Sequence, residues 1–385
     1  EEVYIHDNDD LESIDLSALE EVDSYVYIIS NDELLSIDLS GLQSVEDQFY
    51  VYNNDNMETL DLSLLSTMDG SLEINNNDVL EEVDFPSLTE IEGSLYVYYQ
   101  NSATYFSAPS LETVSGSLYI YSNSDMESID LSGLTEVSSQ IYIESNDVLE
   151  TLDFSALVEA SSSINVSYNY QLESIDFSSM ESVGSSFYIY YNTDMTSIDL
   201  SSLEEIDGNI TFQYNDAIED LDFPELLEVN SSISIAYNDS MLSFSAAELA
   251  SLASSLTIRD NSDLTDVDLS SLTCVDDFTI EGNNISEDTH YDLLVQLTCA
   301  SEGSLIVFSS ENADDFCATG ETELENLYIN ATGSDPIDLS CIETVTGYLE
   351  IENSLAPSID LSGLKTVAEE VYIHDNDDLE SIDLS

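Results

Sequence analysis

The sequence predicts an all-β protein folded as a right-handed parallel β-helix, or β-solenoid, with about 23 residues per turn. Apolar residues recur at this interval through twelve consecutive turns. Short segments within each turn alternate apolar and polar residues, which is typical of strands with one buried face. No part of the repeat is long enough for the helices of a helical repeat. The period therefore indicates turns that stack on one another at about 4.8 Å.

Four rows of apolar residues carry the period. The first row is Ile14, Ile37, Leu60, Val83, Phe106, Ile129, Leu152, Ile175, Ile198, Leu221, Phe244 and Val267. The row that begins at Ile5 is apolar at every step to Ile258. The row from Leu19 is Leu everywhere except Met180, and the row from Val22 weakens only at two smaller or flexible residues. We expect the rows from Ile5, Ile14 and Leu19 to point into the core.

Each turn contains two clear strands and one shorter extended piece. In "SLYIYSN", Leu118 and Ile120 lie on one face and the intervening tyrosines on the other. In "SIDLS", Ile129 points inward and Asp130 outward. An "LxxV" segment completes the turn, and Gly or Ser before the next strand marks a corner.

The repeat "GSLYIYSNSDMESIDLSGLTEV" resembles the receptor L-domain repeat, a β-helical relative of leucine-rich repeats found in extracellular receptors and microbial surface proteins. The resemblance covers nearly the whole chain except the stretch from about Cys274 to Cys341. Its hallmarks are the inward Leu and Ile rows and a row of asparagines. These are Asn8, Asn31, Asn54, Asn77, Asn123, Asn146, Asn169, Asn192, Asn215, Asn238 and Asn261, with Gln100 the one substitution. The resemblance implies a binding or scaffold role without catalysis.

The asparagine row has a structural explanation that requires no ligand. Side-chain amides at a solenoid corner can donate to and accept from the backbone of adjacent turns. We expect such a ladder in preference to a binding site.

The chain divides into regular turns over 1–273, an irregular but still solenoidal segment over 274–341, and regular turns over 342–385. A helix is predicted in the irregular segment, where Ser286 precedes an apolar pattern. All four cysteines, Cys274, Cys299, Cys317 and Cys341, fall in this segment. They predict two disulfides in one of three pairings, and hence an oxidising compartment. Metal binding is the weaker alternative, because no CxxC pair occurs.

One segment of seventeen residues occurs twice. "EEVYIHDNDDLESIDLS" stands at 1–17 and again at 369–385. Ile14 and Ile382 are 368 residues apart, which is sixteen repeats of 23. We expect 369–385 to be the start of a next unit, in a tandem array or in a filament of stacked units. Local duplication is the alternative.

The charge balance excludes several classes of function. The chain has 82 acidic residues against two basic ones, for a net charge of −80. Nucleic-acid binding requires the basic residues that the chain lacks. No apolar run is long enough to insert into a membrane.

Aspartates form an outward row in which neighbouring carboxylates face each other. The row contains Asp15, Asp38, Asp61, Asp84, Asp130, Asp153, Asp176, Asp199, Asp222 and Asp268. Facing like charges favour bound cations, and Ca²⁺ suits oxygen ligands. The alternative is a diffuse halo of Na⁺ or K⁺. Apart from such counter-cations, no cofactor is predicted.

Tyrosines form a second outward row. Its members are Tyr4, Tyr27, Tyr50, Tyr96, Tyr119, Tyr142 and Tyr188. Ring packing that stabilises the sheet is one interpretation. The other is an adhesive surface for glycans or for lateral contact with another copy.

The sequence favours a structural extracellular filament or surface fibre that associates with itself. A receptor-like or adhesin module that binds a glycan or protein is the alternative. An enzyme is not expected. A catalytic site should be a local exception to the repeat, whereas the acidic residues of this chain follow it. Glycosylation sequons begin at Asn165, Asn209, Asn230, Asn238, Asn284 and Asn330, a number near chance in so Asn- and Ser-rich a chain. We expect an extracellular or cell-surface location.

Overall fold

A computed structural model describes residues 2–273, 275, 277–286, 289, 290, 293, 296, 297, 305–307, 309–331, 333–352 and 354–384. The chain forms two compact units, Glu1–Thr289 and His290–Ser385. The boundary between them falls inside the segment that the sequence marks as irregular. Cys274 and Cys299 lie outside the described residues.

The first unit is a parallel β-solenoid, which confirms the predicted fold class. Its longest strands form one thirteen-stranded sheet, here called the long-strand sheet. The strands are Val3–His6, Val26–Ile29, Phe49–Tyr52, Leu72–Asn75, Leu95–Tyr98, Leu118–Tyr121, Ile141–Glu144, Ile164–Ser167, Phe187–Tyr190, Ile210–Gln213, Ile233–Ala236, Ser255–Arg259 and Asp277–Glu281. Neighbouring strands pair in parallel with a shift of 23 residues, as in Tyr4 with Tyr27. At the last pair of strands the shift is 22 residues, since Leu256 pairs with Phe278.

Three-residue strands form a second side of the solenoid, here called the aspartate face. They are Ser13–Asp15, Ser36–Asp38, Thr59–Asp61, Glu82–Asp84, Tyr105–Ser107, Ser128–Asp130, Thr151–Asp153, Ser174–Asp176, Ser197–Asp199, Asp220–Asp222, Ser243–Ser245 and Asp266–Asp268. This face is divided into ladders of three, six and three strands.

Two-residue strands form the third side, an eleven-stranded sheet. They are Glu21–Val22, Ser44–Val45, Thr67–Met68, Glu90–Ile91, Thr113–Val114, Glu136–Val137, Glu159–Ala160, Ser182–Val183, Glu205–Ile206, Glu228–Val229 and Ser251–Leu252.

The predicted inward rows form the core of the first unit. Ile28, Val51 and Leu42 are completely buried, as are their equivalents in most later turns. Each fully buried aliphatic side chain contributes about 1.5–3 kcal/mol relative to an exposed one. A single continuous column of Leu, Ile, Val and Phe therefore stabilises every turn through its neighbours.

The corner after each long strand is stabilised by the predicted asparagine ladder. Asn31 donates its backbone N–H to Asn54 Oδ1 (3.1 Å), and Asn54 Nδ2 donates to the carbonyl of Ile28 (3.0 Å). The same pattern recurs at Asn146 and Asn192. Each of these asparagines is completely buried. The side chains thus satisfy backbone groups that the corner takes out of the sheets.

The second unit repeats this architecture over fewer turns. Its strands are Leu305–Val307, Glu323–Leu324, Leu327–Ile329, Ile337–Asp338, Thr344–Val345, Leu349–Glu352, Ser358–Asp360, Thr366–Val367, Val371–His374 and Ser381–Asp383. They form one four-stranded and two three-stranded parallel sheets. Leu327 pairs with Leu349 and Leu349 with Val371, so these turns have 22 residues instead of 23.

One helix of the second unit, α1 (Ser310–Thr319), is not predicted by the repeat. Ser309 caps its start by accepting the N–H of Asn312, and Gly320 ends it with a left-handed φ of 80°. The disulfide Cys317–Cys341 ties the helix to the solenoid across 24 residues, with a Cα–Cα distance of 5.6 Å. Closing a loop of this length stabilises the folded chain by about 3 kcal/mol in the chain-entropy model.

The helix predicted after Ser286 has described residues in helical conformation. Ser286 Oγ accepts the backbone N–H of Thr289 (3.1 Å), as an N-cap does. Leu293, Gln296 and Leu297 are helical.

Candidate functional site: the tyrosine face and the aspartate face

The outward side of the long-strand sheet, here called the tyrosine face, carries stacked rings. Alternation along each strand directs these side chains away from the core. Tyr27 and Tyr50 stack with ring centroids 5.0 Å apart and an interplanar angle of 4°. Tyr96 and Tyr119 stack at 5.1 Å and 7°. The centroid distances follow the strand spacing of about 4.8 Å, so the sheet itself sets the stacking.

The predicted tyrosine row is brought together in two stretches. Tyr4 meets Tyr27 edge to face at 6.0 Å, and Tyr119 meets Tyr142 at a tilt of 48°. Glu73 interrupts the row between Tyr50 and Tyr96, since it pairs with both. Asn165 and Thr211 flank Tyr188 in the adjacent strands, so no ring of this row stacks on it.

Carboxylates accept hydrogen bonds from several hydroxyls of the tyrosine face. Tyr98 donates its hydroxyl to Glu73 Oε1 (2.5 Å). Burial and this glutamate raise the pKa of Tyr98. On the neighbouring aspartate face, burial and the hydrogen bond to Glu82 raise the pKa of Tyr105 to about 12. A tyrosine hydroxyl is protonated at neutral pH even at its ordinary pKa of about 10, so these rings are neutral and amphipathic.

A second tyrosine ladder lies at the corner after the long strands, which sequence reasoning missed. Tyr168, Tyr191, Tyr214 and Tyr237 all have positive φ, between 55° and 58°. Their rings stack at 4.8, 4.4 and 4.8 Å with interplanar angles of 11° or less. The guanidinium of Arg259 lies 5.2 Å from the centroid of Tyr237, within range of a cation–π contact.

The four tyrosines of this corner ladder recur every 23 residues, and each directly precedes a member of the buried amide row. This recurrence was the signal for the ladder in the sequence. Its conformation was not readable, since a bulky residue rarely adopts positive φ. The left-handed φ does not depend on the rings, because Ser30, Asn53 and Ser122 adopt it at the equivalent position of other turns, so the corner itself imposes it.

The predicted aspartate row is aligned as expected, and hydrogen bonds give it a structural role. Asp15 pairs with Asp38, and Asp38 pairs with Asp61. Asp15 Oδ1 accepts the backbone N–H of Ser17 (3.1 Å) and its hydroxyl (2.7 Å). These bonds lower the pKa of Asp15. Equivalent backbone bonds are made by Asp38, Asp61, Asp130, Asp153, Asp176, Asp199 and Asp268.

Asp84 and Asp222 depart from this pattern. Pro86 and Pro224 stand two residues after them, and proline has no N–H to donate. The strand ladder of the aspartate face is interrupted immediately before each of these two turns. Grooves of about 360 and 530 Å³ lie there, the first lined by Asp61 and Asp84 and the second by Asp199 and Asp222 among other residues.

Uncompensated repulsion explains the two interruptions. A carboxylate that lacks the backbone donor faces the carboxylate of the preceding turn, and like charges directly opposite destabilise a strand pair. Pro109 supports this explanation, because it follows Ser107 and the ladder is intact there.

The predicted sequon residues differ in accessibility. Asn230 and Asn284 are exposed, and Asn209 and Asn330 are half-buried. Asn165 is 9% exposed. Asn238 is completely buried and its Nδ2 donates to the carbonyl of Phe212 (3.1 Å), so this amide is not accessible to a glycan.

Comparison with known proteins supports the family resemblance. The Receptor L domain family model matches residues 66–155. The match confirms the resemblance inferred from the repeat, over four turns of the first unit. No curated protein and no solved structure matches the chain.

The family match and the fold fit a surface or receptor-like protein, since Receptor L domains are typical of extracellular or surface receptors. Among the described residues, no helix combines the length and apolarity needed to span a bilayer.

Proposed function

We propose that the chain is a structural part of an extracellular filament or surface fibre, built from solenoid units of 368 residues that continue into one another. The observation that carries this proposal is the pairing of the two identical segments. Val3–His6 pairs with the turn that follows it, through Val26–Ile29. Val371–His374, with the same sequence, pairs with the turn that precedes it, through Leu349–Glu352. One copy of the segment is thus compatible with a neighbouring turn on either edge.

The asparagine of the segment likewise bonds to the following turn in the first copy and to the preceding turn in the second copy. Asn8 donates its backbone N–H to Asn31 Oδ1 (3.2 Å). Asn376 Oδ1 accepts the N–H of Ser354 (2.9 Å), and its Nδ2 donates to the carbonyl of Ile351 (2.8 Å). An internal asparagine such as Asn54 makes both sets of bonds. A single copy placed between two units would therefore complete the ladder.

A chain shortened to residues 1–368 tests the proposal. It would expose the edge of Leu349–Glu352, which the first seventeen residues of another molecule fit. We expect concentration-dependent end-to-end oligomers in sedimentation velocity and short rods in electron micrographs. A synthetic peptide with the sequence of residues 369–385 should block this growth by covering the same edge.

The matched control for the shortened chain carries Ile5→Glu. Ile5 is an inward residue of the segment, so a charge there should prevent docking while the remaining turns stay folded. Monomers at all concentrations, or oligomers that neither the peptide nor Ile5→Glu affects, would argue against stacked units.

A binding module is the second candidate, favoured by the half-exposed tyrosine stacks. Flat, neutral rings in register suit the stacking of sugar rings or the lateral contact of another rod. Tyr96→Ala with Tyr119→Ala should abolish retention on a glycan array if this reading holds. The control is Tyr188→Ala, which removes a tyrosine outside the stacks. Equal binding by both variants would exclude the stacks as the binding surface.

A further inference from the structure

Glu350, Glu352 and His374 of the second unit lie together on the outward side of two adjacent strands. His374 pairs in register with Glu352. His374 Nε2 lies 3.3 Å from Glu350 Oε1 and 3.9 Å from Glu352 Oε2. One ligand atom from each residue lies within 4.8 Å of the others. The group combines an imidazole nitrogen with two carboxylates, so it differs in chemistry from the all-oxygen acidic surface around it.

Asp375 fixes the orientation of the imidazole. Its Oδ2 lies 3.0 Å from His374 Nδ1, on the opposite side of the ring from the two glutamates. With the Nδ1 proton donated to Asp375, the lone pair of Nε2 is directed at Glu350 and Glu352. A carboxylate on the far nitrogen is the usual partner of a metal-binding histidine.

We propose that Glu350, Glu352 and His374 form a binding site for a divalent transition-metal ion of the zinc type. Zinc binds histidine nitrogen and carboxylate oxygen at about 2.0–2.2 Å, which places tetrahedral ligands about 3.3 Å apart. The separations of 3.3 and 3.9 Å meet this geometry with a small side-chain adjustment. Three protein ligands leave one position for water. Ca²⁺ and Mg²⁺ prefer oxygen ligands alone, so the nitrogen gives selectivity against them.

The chain contains a matched control for this site. His6 belongs to the identical segment, and Asp7 Oδ2 lies 2.8 Å from its Nδ1. Its register partner, however, is Ile29 instead of a glutamate. His6 thus shares the local sequence and the orienting carboxylate of His374 but not the glutamate pair. The loss of metal affinity on replacing His374, compared with the loss on replacing His6, therefore measures the contribution of Glu350 and Glu352 to metal binding.

The test is a titration of the full chain with Zn²⁺ by isothermal calorimetry, in an excess of Ca²⁺ and Mg²⁺ that occupies the general acidic surface. We expect one site whose affinity falls tenfold or more in His374→Ala and in Glu352→Gln, and about tenfold in Asp375→Asn. His6→Ala and Asp7→Asn should bind as the unchanged chain does. With Cu²⁺ as probe, electron paramagnetic resonance should show one coordinated nitrogen that His374→Ala removes.

Three results would overturn the proposal. One is equal affinity in the His374 and His6 variants. Another is loss of all Zn²⁺ binding when Ca²⁺ is in excess, which would leave His374 as an ion-paired imidazolium. The third is a Cu²⁺ spectrum with oxygen ligands alone. Circular dichroism of each variant separates these results from misfolding, and Glu352→Gln retains the size of the side chain it replaces.

Discussion

Asparagine side chains complete the hydrogen bonding of the solenoid corners, and Gln100 is the exception among them in the described turns of the first unit. Asn54 donates its N–H to Asn77 Oδ1, whereas Gln100 Oε1 is buried without a hydrogen-bond partner. The extra methylene of glutamine moves the amide out of register with the ladder. A buried polar atom without a partner costs about 1–3 kcal/mol.

Gln100→Asn should therefore stabilise the protein by about 1 kcal/mol, because the shorter side chain restores the ladder. The measurement is the free energy of unfolding from chemical denaturation. The reciprocal control, Asn123→Gln in the chain that keeps Gln100, should destabilise by a similar amount, since it adds a second defect at the next turn. A destabilised Gln100→Asn variant would contradict this account of the corner.

Some features of single residues could be read from the sequence and others could not. The buried positions of Ile28 and Asn54 follow from the period alone. The hydrogen bonds from Ser17 to Asp15 were not predicted, because the aspartate row was interpreted only as a row of facing charges. The left-handed conformation of Tyr191 was also not predictable from the preference of tyrosine, since the solenoid corner imposes it on the residue before each buried amide, Ser30 and Ser122 included.

Strands of the aspartate face show how one proline changes an element. The ladder is interrupted between Thr59–Asp61 and Glu82–Asp84, where Pro86 removes the donor that other turns supply. Leu60, on the strand before the interruption, is only half-buried. The apolar rows identify these strands, but they give no sign that the ladder is interrupted, because the inward residues continue unchanged.

Pro86→Ser should restore the ladder at this position. The new serine can donate its N–H and hydroxyl to Asp84, as Ser17 does to Asp15, and so offset the repulsion by Asp61. We expect slower hydrogen exchange at the amides of Leu60 and Leu62. The change in overall stability should be small, because losing a proline raises the entropy of the unfolded chain. Pro109→Ser is the control and should leave exchange unchanged, since its ladder is intact; equal effects would contradict the explanation.

The charge of the whole molecule sets its dependence on salt. With a net charge of −80, repulsion opposes folding and any association between copies. We propose that cations bound along the aspartate row offset part of it, with the grooves at Asp84 and Asp222 as the preferred sites. The temperature of unfolding, measured after dialysis against a chelator, should rise with NaCl as screening shortens the range of the repulsion.

Calcium at matched ionic strength should raise that temperature further if the grooves bind it. Asp84→Asn with Asp222→Asn should remove the additional rise and leave the NaCl response in place. If the temperature of unfolding depends on ionic strength alone, the counterions form a diffuse layer and the grooves do not bind Ca²⁺ specifically. No response to either salt would show that the carboxylates are too far apart to interact.

At the scale of the whole molecule, the period predicted the solenoid but not all of its turns. The strict repeat of 23 residues gives way to 22 between Leu256 and Phe278, and again between Leu327 and Leu349. Helix α1 and its disulfide occur in the second unit, within the segment 274–341 where the strict repeat of 23 residues is lost. The loss of the strict repeat marks this segment in the sequence, but it gives neither the bounds of the helix nor the pairing of the cysteines.

The most direct test of the continuous-unit proposal is hydrogen exchange in a tandem chain, in which residues 1–368 are followed by residues 1–385. The copy of the seventeen-residue segment at the junction then has a turn on each side. We predict that its strand amides exchange as slowly as those of an internal turn such as Ile141–Glu144, and more slowly than those of either copy in the single chain. Exchange at the junction as fast as in Val371–His374 of the single chain would contradict the proposal.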